Sequence, residues 1–158
     1  MNITDICPFV RQALSVKLRN RSNTEYRMVK TNDCRLFYMT GGEGTITIDE
    51  NTHKVCAGTC VIIKAGTEYM LKPSEGSVIT LFVANFDYTQ NAAHISRTFS
   101  PIPAELFCPE QITDSVTFSD CDELNEPLVL HNAHILESRL RLVVTEKQLG
   151  NKYCNELL

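Results

Sequence analysis

The sequence predicts a mainly β protein, a sandwich or closed barrel, finished by C-terminal α-helices. Three observations carry this. Between Arg35 and Lys72, short extended runs are separated by glycine-bearing turns at intervals of roughly 8–12 residues. Val78-Ile79-Thr80-Leu81-Phe82-Val83-Ala84 is the most apolar run of the chain and reads as a central strand. After Pro127 the pattern changes, with Ala133, Leu136, Leu140 and Val143 recurring at helical spacing.

Taken in order, Met1 to Asp5 is expected to be a loose terminus. Along Val10 to Leu18 two periods compete. Val16 and Leu18 alternate with Ser15, Lys17 and Arg19 as in a strand, while Val10, Leu14 and Lys17-Leu18 also fit a period near 3.6. Arg19 to Asn23 is a polar loop, Tyr26 to Val29 opens a strand, and Thr31-Asn32-Asp33 turns it. Leu36 to Met39 is an apolar strand, followed by the turn Gly41-Gly42-Glu43-Gly44. Thr45-Ile46-Thr47-Ile48 alternates as a half-buried strand does, and Asp49 to Thr52 supplies turn chemistry. Lys54 to Cys56 and Cys60 to Ile63 are strands broken at Gly58, and Gly66 turns into a strand over Thr67 to Leu71. Pro73 to Gly76 is a turn before the central strand. From Gln90 to Asp122, where Pro101, Pro103 and Pro109 forbid a long helix, an irregular excursion is expected, with one short strand at Ser115 to Phe118. Leu128 to Leu149 is read as one amphipathic helix of about five turns, with Asn132 as an N-cap if the helix begins late. Gly150 interrupts it, and a second helix is expected from Asn151 to Leu158.

The 158 residues suit one domain of ordinary size. The formal charge of −4 is spread without a basic stripe, which argues against nucleic-acid binding by these residues alone. No apolar run approaches the 18 residues of a membrane span, and Met1 to Val10 lacks the basic and apolar blocks of a secretory signal. The seven cysteines are odd in number and contain no C-x-x-C pair, so buried free thiols in a reducing cytoplasm are expected. A redox pairing of Cys56 with Cys60 is the alternative.

The spacing Gly42-x-Gly44, then Gly58, then Gly66, resembles the cupin barrel found in the N-terminal sensor half of AraC-type transcription regulators. The motif resemblance runs from about Arg27 to Phe86, and the string Asn85-Phe86-Asp87-Tyr88-Thr89 is also similar to those sensor domains. The resemblance implies a cupin-like double-stranded β-helix (jelly-roll) barrel over residues 1–126, sensing a ligand, and a helical dimerisation or linker segment over residues 127–158. It implies a homodimer that binds a small effector, a carbohydrate above all. It also implies that DNA is contacted only through a C-terminal domain beyond Leu158. The uncapped ending at Leu158 fits a chain cut before such a domain.

Cupin enzymes hold a metal through motifs resembling G-x5-H-x-H-x3/4-E-x6-G and G-x5-P-x-G-x2-H-x3-N. In the second, Gly58 and Gly66 match, but Lys64 replaces the proline, Tyr69 the metal histidine and Pro73 the asparagine. In the first, Gly42 closes the motif and Arg35 stands where the glutamate belongs, with no histidine from Met28 to Thr31. A divalent ion needs three or four converging imidazoles or carboxylates, so no metal and no cofactor are expected. His131 and His134 would share a helix face, as a surface metal site or as plain solvated positions. No nucleophile with a partnering base stands out, so no catalytic residue is assigned.

The resemblance instead implies a ligand-binding arginine at Arg27, whose planar guanidinium suits paired oxygens; a surface salt bridge is the alternative. Tyr69 should point into the barrel, to stack on a ligand or to fill the core. Tyr38 and Arg11 are further ligand-binding candidates. The stripe Leu136, Leu140 and Val143 packs either on the chain's own barrel or on a partner's matching helix as the dimerisation seam. Two rivals to the sensor reading are a metal-dependent isomerase or dioxygenase with atypical ligands, and a stand-alone carbohydrate-binding cupin.

Overall fold

The ambiguous N-terminal run is a strand. In the computed structural model, which describes residues 1–20, 25–150 and 154–158, β1 spans Phe9–Arg19 and pairs antiparallel with β8, Val78–Asp87. Tertiary pairing decides between the two periods, because only an extended β1 presents Leu14, Val16 and Leu18 on one face. Between them in sequence lie β2 (Val29–Lys30), β3 (Cys34–Gly41), β4 (Glu43–Ile48), β5 (Asn51–Cys56), β6 (Cys60–Ile63) and β7 (Tyr69–Pro73). After β8 come β9 (Ile102–Pro103), β10 (Leu128–Leu130), α1 (Glu137–Gln148) and α2 (Cys154–Leu157). The strands form two five-stranded antiparallel sheets, ordered β1-β8-β3-β6-β10 and β5-β4-β7-β2-β9.

Two apolar layers hold the molecule together. Phe37, Met39, Val61, Ile63, Ile79 and Leu81 of the first sheet meet Ile46, Ile48, Val55 and Tyr69 of the second. On the outer face of the first sheet, Leu36, Tyr38, Phe82, Ala84 and Phe86 are covered by Leu140, Val143 and Val144 of α1 and by Val116 and Phe118. Both faces of β3 and β8 are therefore buried, which is why these strands read as continuous apolar runs and not as alternation. Each large side chain fully removed from water contributes about 1.5–3 kcal/mol, so the doubly covered strands form the most stable part of the structure.

The close approach of the β3–β4 turn to β8 demands glycine: a Cβ on Gly42, whose φ is +78°, would lie 2.1 Å from the Val78 carbonyl oxygen. Gly58, at φ +82°, plays the same part under the His134 ring, which a Cβ would meet at 2.4 Å.

Several expectations are corrected. Leu128–Leu130 is not the first turn of a helix but an edge strand on β6, with Leu128 opposite Ile62 and Leu130 opposite Cys60. Asn132 takes a left-handed φ of +58° and is a turn residue, not an N-cap; a 3-10 turn at His134–Leu136 then leads into α1, shortened to Glu137–Gln148. Burial on an available sheet edge outweighs the helical spacing of this apolar run. His131 and His134 consequently precede the helix and do not share one of its faces. Gly150 ends α1 at φ +72°, as a left-handed cap does. Of the second expected helix, residues 151–153 lie outside the described residues, and Cys154–Leu157 is helical.

The excursion after β8 carries β9 and three 3-10 turns, at Ala104–Leu106, Pro109–Gln111 and Asp122–Asn125. Residues 115–118 form no strand. They join no ladder and are tied by Lys64 Nζ donating to the Val116 carbonyl at 2.5 Å and by Asn125, whose side chain both accepts from Phe118 N (2.7 Å) and donates to Phe118 O (2.8 Å). The cysteines also differ from expectation: all described ones are free, but Cys7, Cys56 and Cys108 are exposed, and only Cys34 and Cys60 are buried.

Candidate functional site

Between the sheets lies a cavity of about 390 Å3. Cross-strand register builds its wall in rows. Leu14, Val83 and Phe37 stand abreast on β1, β8 and β3, and Val16 stands opposite Leu81 two residues further along. Leu18 continues the wall, and Val29, Tyr69, Met70 and Leu71 close it from the second sheet. Leu14, Val16 and Leu18 are only half-buried although apolar, because they border this space. Glu25, Tyr26, Arg27 and Pro101 form its rim. A hollow of about 620 Å3 outside the barrel is larger, but it is lined chiefly by the Pro73–Gly76 turn and does not reach the interior.

At the other end of the same wall, one row is polar. Asn85 of β8 lies directly opposite both Gln12 of β1 and Arg35 of β3, and all three line the cavity. Asn85 Nδ2 donates to Gln12 Oε1 at 3.1 Å, while Asn85 Oδ1 and Arg35 Nε are buried without a hydrogen-bond partner. A bulge in β1 between Val10 and Gln12 lets Arg11 leave the ladder.

Behind the polar row is a buried charge quartet. Arg35 Nη2 stands 2.9 Å from Asp33 Oδ1 and donates to the Phe99 carbonyl at 2.5 Å. Arg11 pairs with Asp87 and lies 3.9 Å from Asp33 Oδ2, its guanidinium between the rings of Phe9 and Phe99. It also donates to the carbonyls of Ala92 and Ile95, and Thr113 Oγ1 donates to Asp87 at 2.6 Å. Both Asp33 oxygens are within ion-pair range yet accept no well-aligned hydrogen bond. Burial pushes the Asp33 carboxyl up to about 6, with Asp87 adding to the rise and Arg35 and Arg11 opposing it. Burial likewise raises Asp87, against the pull of the Thr113 hydrogen bond and Arg11.

The candidates chosen from sequence fall in different places. Tyr69 is 5% exposed in the cavity wall, its ring 5.5 Å from that of Phe37, and burial pushes its hydroxyl up to about 12. Arg27 is on the rim, exposed. Tyr38 is on the opposite face of β3, stacked on Phe82, its hydroxyl 3.4 Å from Glu137 Oε2. Arg11 is committed to the quartet and does not line the cavity. Leu140 and Val143 are buried against the chain's own barrel, and Leu136 packs at the edge of that layer. Gln12 and Asn85 were not legible as site residues, and Arg35 was visible only as a misfit in a metal motif. The signal was parity on one side only: Gln12 stands two residues before Leu14, Asn85 two after Val83 and Arg35 two before Phe37, each of these an apolar residue of the cavity wall. Among the described residues no three His, Cys, Asp or Glu side chains gather as metal ligands. Burial pushes the Cys34 and Cys60 thiols up to about 12, which keeps them neutral.

No family model matches the chain, and no curated protein does. Solved structures do. ToxT from Vibrio cholerae O395, bound to (E)-4-(8-methylnaphthalen-1-yl)but-3-enoic acid, aligns over 92% of this chain and 51% of its own, at 10% identity and a TM-score of 0.50. A cupin protein from Bacteroides fragilis aligns over 48% of this chain and 64% of its own, at 16% identity and a TM-score of 0.42. A cupin 2 conserved barrel domain protein from Leptotrichia buccalis aligns over 55% and 47%, at 16% identity and a TM-score of 0.35. This chain thus spans about half the length of ToxT. Its architecture is a cupin-like β-barrel of two antiparallel sheets followed by helices. No described helix is long and apolar enough to cross a membrane.

Proposed function

We propose that this chain is the effector-sensing part of an AraC-like transcription regulator, a module that binds a small molecule and transforms nothing. One observation carries the reading: an apolar cavity inside the barrel, open at a rim and closed at the other end by buried polar side chains with unmet hydrogen-bonding capacity. The fold shared with ToxT over most of this chain supports it. The metal-dependent enzyme is the weaker reading, because Tyr69 and Arg35 stand where the motifs carry ligands. A homodimer, and DNA contact through a further domain rather than through these residues, are part of the same proposal.

The effector is a mainly apolar molecule with one polar head, in preference to the carbohydrate that the family resemblance implies. A sugar would set hydroxyls against Leu14, Val16, Phe37, Leu81 and Val83, and each hydroxyl left unpaired there costs about 1–3 kcal/mol. Binding would act on transcription only through a difference in affinity between two arrangements of the whole protein. A thermal-shift panel of monosaccharides set against alkyl and aryl acids, amides and alcohols tests this. The apolar-bodied compounds should raise the melting temperature, since binding at a hundredfold excess over Kd adds about 2.7 kcal/mol. Stabilisation by sugars alone would restore the carbohydrate reading, and no stabilisation by any compound would remove the sensing role.

A further inference from the structure

We infer that the row Gln12–Asn85–Arg35 is the head-group subsite of this cavity, that it takes a carboxylate, and that binding draws a proton onto Asp33 behind it. The inference rests on the cavity being the effector site.

The geometry selects the head group. Asn85 is fully buried with Oδ1 unpartnered, and Arg35, 4% exposed, has Nε unpartnered; both border the cavity. Buried polar atoms without partners are rare in folded proteins, and these two, on cross-strand neighbours that line the cavity, are where a ligand can supply the missing bonds. The Gln12–Asn85 hydrogen bond runs equally well with both carboxamides turned over. Gln12 Nε2 then donates to the orphaned Asn85 Oδ1, and Asn85 Nδ2 turns to the cavity beside Arg35 Nε. Asn85 Nδ2 and Arg35 Nε so present two neighbouring donors, which suits the paired oxygens of a carboxylate.

Charge balance requires the proton. With Asp33 and Asp87 ionised, the quartet with Arg11 and Arg35 is neutral, and a third carboxylate would bury one uncompensated negative charge. Protonating one aspartate restores neutrality. Asp33 is the one next to Arg35. The groups acting on it are Arg35 on β3, Arg11 on β1 and Asp87 on β8, with Asp114 acting on Asp87 and Tyr69 of β7 nearby. Burial raises both aspartates, Asp33 to about 6, while Tyr69 and Cys34 stay neutral. A bound anion on Arg35 weakens the pull that keeps Asp33 ionised, so its carboxyl titrates higher still in the complex.

Isothermal titration with octanoate, octanamide and 1-octanol tests this, because the three share a tail. Octanoate should bind most tightly. Paired buffers of different ionisation heat at pH 7 should report uptake approaching one proton per octanoate and none for octanol. Octanoate affinity should fall above pH 6 by up to about tenfold per pH unit. Asp33→Asn mimics the protonated state, so it should bind octanoate at least about tenfold more tightly than wild type at pH 8, with no proton uptake. Arg35→Gln should lose the preference for octanoate and keep octanol binding. Octanoate and octanol bound alike, or octanoate bound without proton uptake, overturns the subsite and leaves the apolar cavity standing as the effector site. Failure of all three to bind the folded protein overturns the subsite, and takes the sensing role with it when the wider panel of sugars, acids, amides and alcohols gives no stabilisation either.

Discussion

Arg35 donates to the main-chain carbonyl of Phe99 at 2.5 Å, joining the cavity wall to a residue 64 positions later. With Arg11 holding the carbonyls of Ala92 and Ile95, the start of the long excursion is docked on the barrel end by two guanidinium groups. Its continuation reaches the cavity rim at Pro101 and pairs with β2 through Ile102 and Pro103. Removing the Arg35 fork should loosen this segment first. A charge-assisted hydrogen bond contributes about 1.5–3 kcal/mol, so Arg35→Met should speed trypsin cleavage after the exposed Arg97 roughly 10–100-fold. Cleavage within the strands should change far less. Equal acceleration at all sites would mean that Arg35 supports the whole barrel and not the docking of this segment.

The cavity itself is open to a volume test. Val83 sits mid-strand between Leu14 and Phe37 and faces the empty space. Val83→Phe should fill that space and keep stability within about 1 kcal/mol of wild type by urea denaturation. The same variant should lose the melting-temperature shift given by any cavity ligand. A ligand that still stabilises it binds elsewhere.

On the helix, Leu140 (7% exposed) and Val143 (1%) face the chain's own barrel, while Leu142 is 52% exposed. Leu140→Asp therefore buries an unpaired carboxylate as well as losing packing, and should destabilise the fold by about 3–5 kcal/mol. Leu142→Asp should stay within about 0.5 kcal/mol. Urea midpoints read both. If Leu140→Asp left the midpoint unchanged and altered only the oligomeric state by light scattering, the residue would belong to a partner interface.

The Asp33 carboxyl sets a pH dependence of stability with a definite sign. Its folded value is about 6 and the ordinary aspartate value is 3.8, so between these the folded state binds more protons than the unfolded. Its contribution is fully present below about pH 4 and is lost as pH rises through 6. The difference in unfolding free energy, wild type minus Asp33→Asn, should fall from pH 4 to 6 and be flat above. A difference that rises over that window would mean that Arg35 and Arg11 outweigh the burial of the carboxylate.

Much of this could be read from the residues in order. The turns at Gly42, Gly58 and Gly66, the strands over Thr45 to Ile48 and Cys60 to Ile63, and the central run from Val78 depend on steric freedom and period-two burial, which neighbours in the chain determine. The helix boundary failed because Leu128 to Leu130 satisfies a helical stripe and a strand equally, and the exposed edge of β6, 66 to 70 positions upstream, decided for the strand. The expected strand at Ser115 to Phe118 failed for the converse reason: Val116 and Phe118 are buried, but no strand edge is offered to them.

The site was less legible still. Tyr69 was placed inward correctly, since it keeps step with the strand carrying it. Arg35 and Asn85 each look like an isolated polar residue in an apolar strand, and Gln12 like half of a polar pair with Arg11. Local alternation determines that Arg35 and Asn85 share a face with Phe37 and Val83; only strand order, register and the β1 bulge, set by which edges meet in three dimensions, bring Gln12 abreast of them and place Arg11 and two aspartates behind the row.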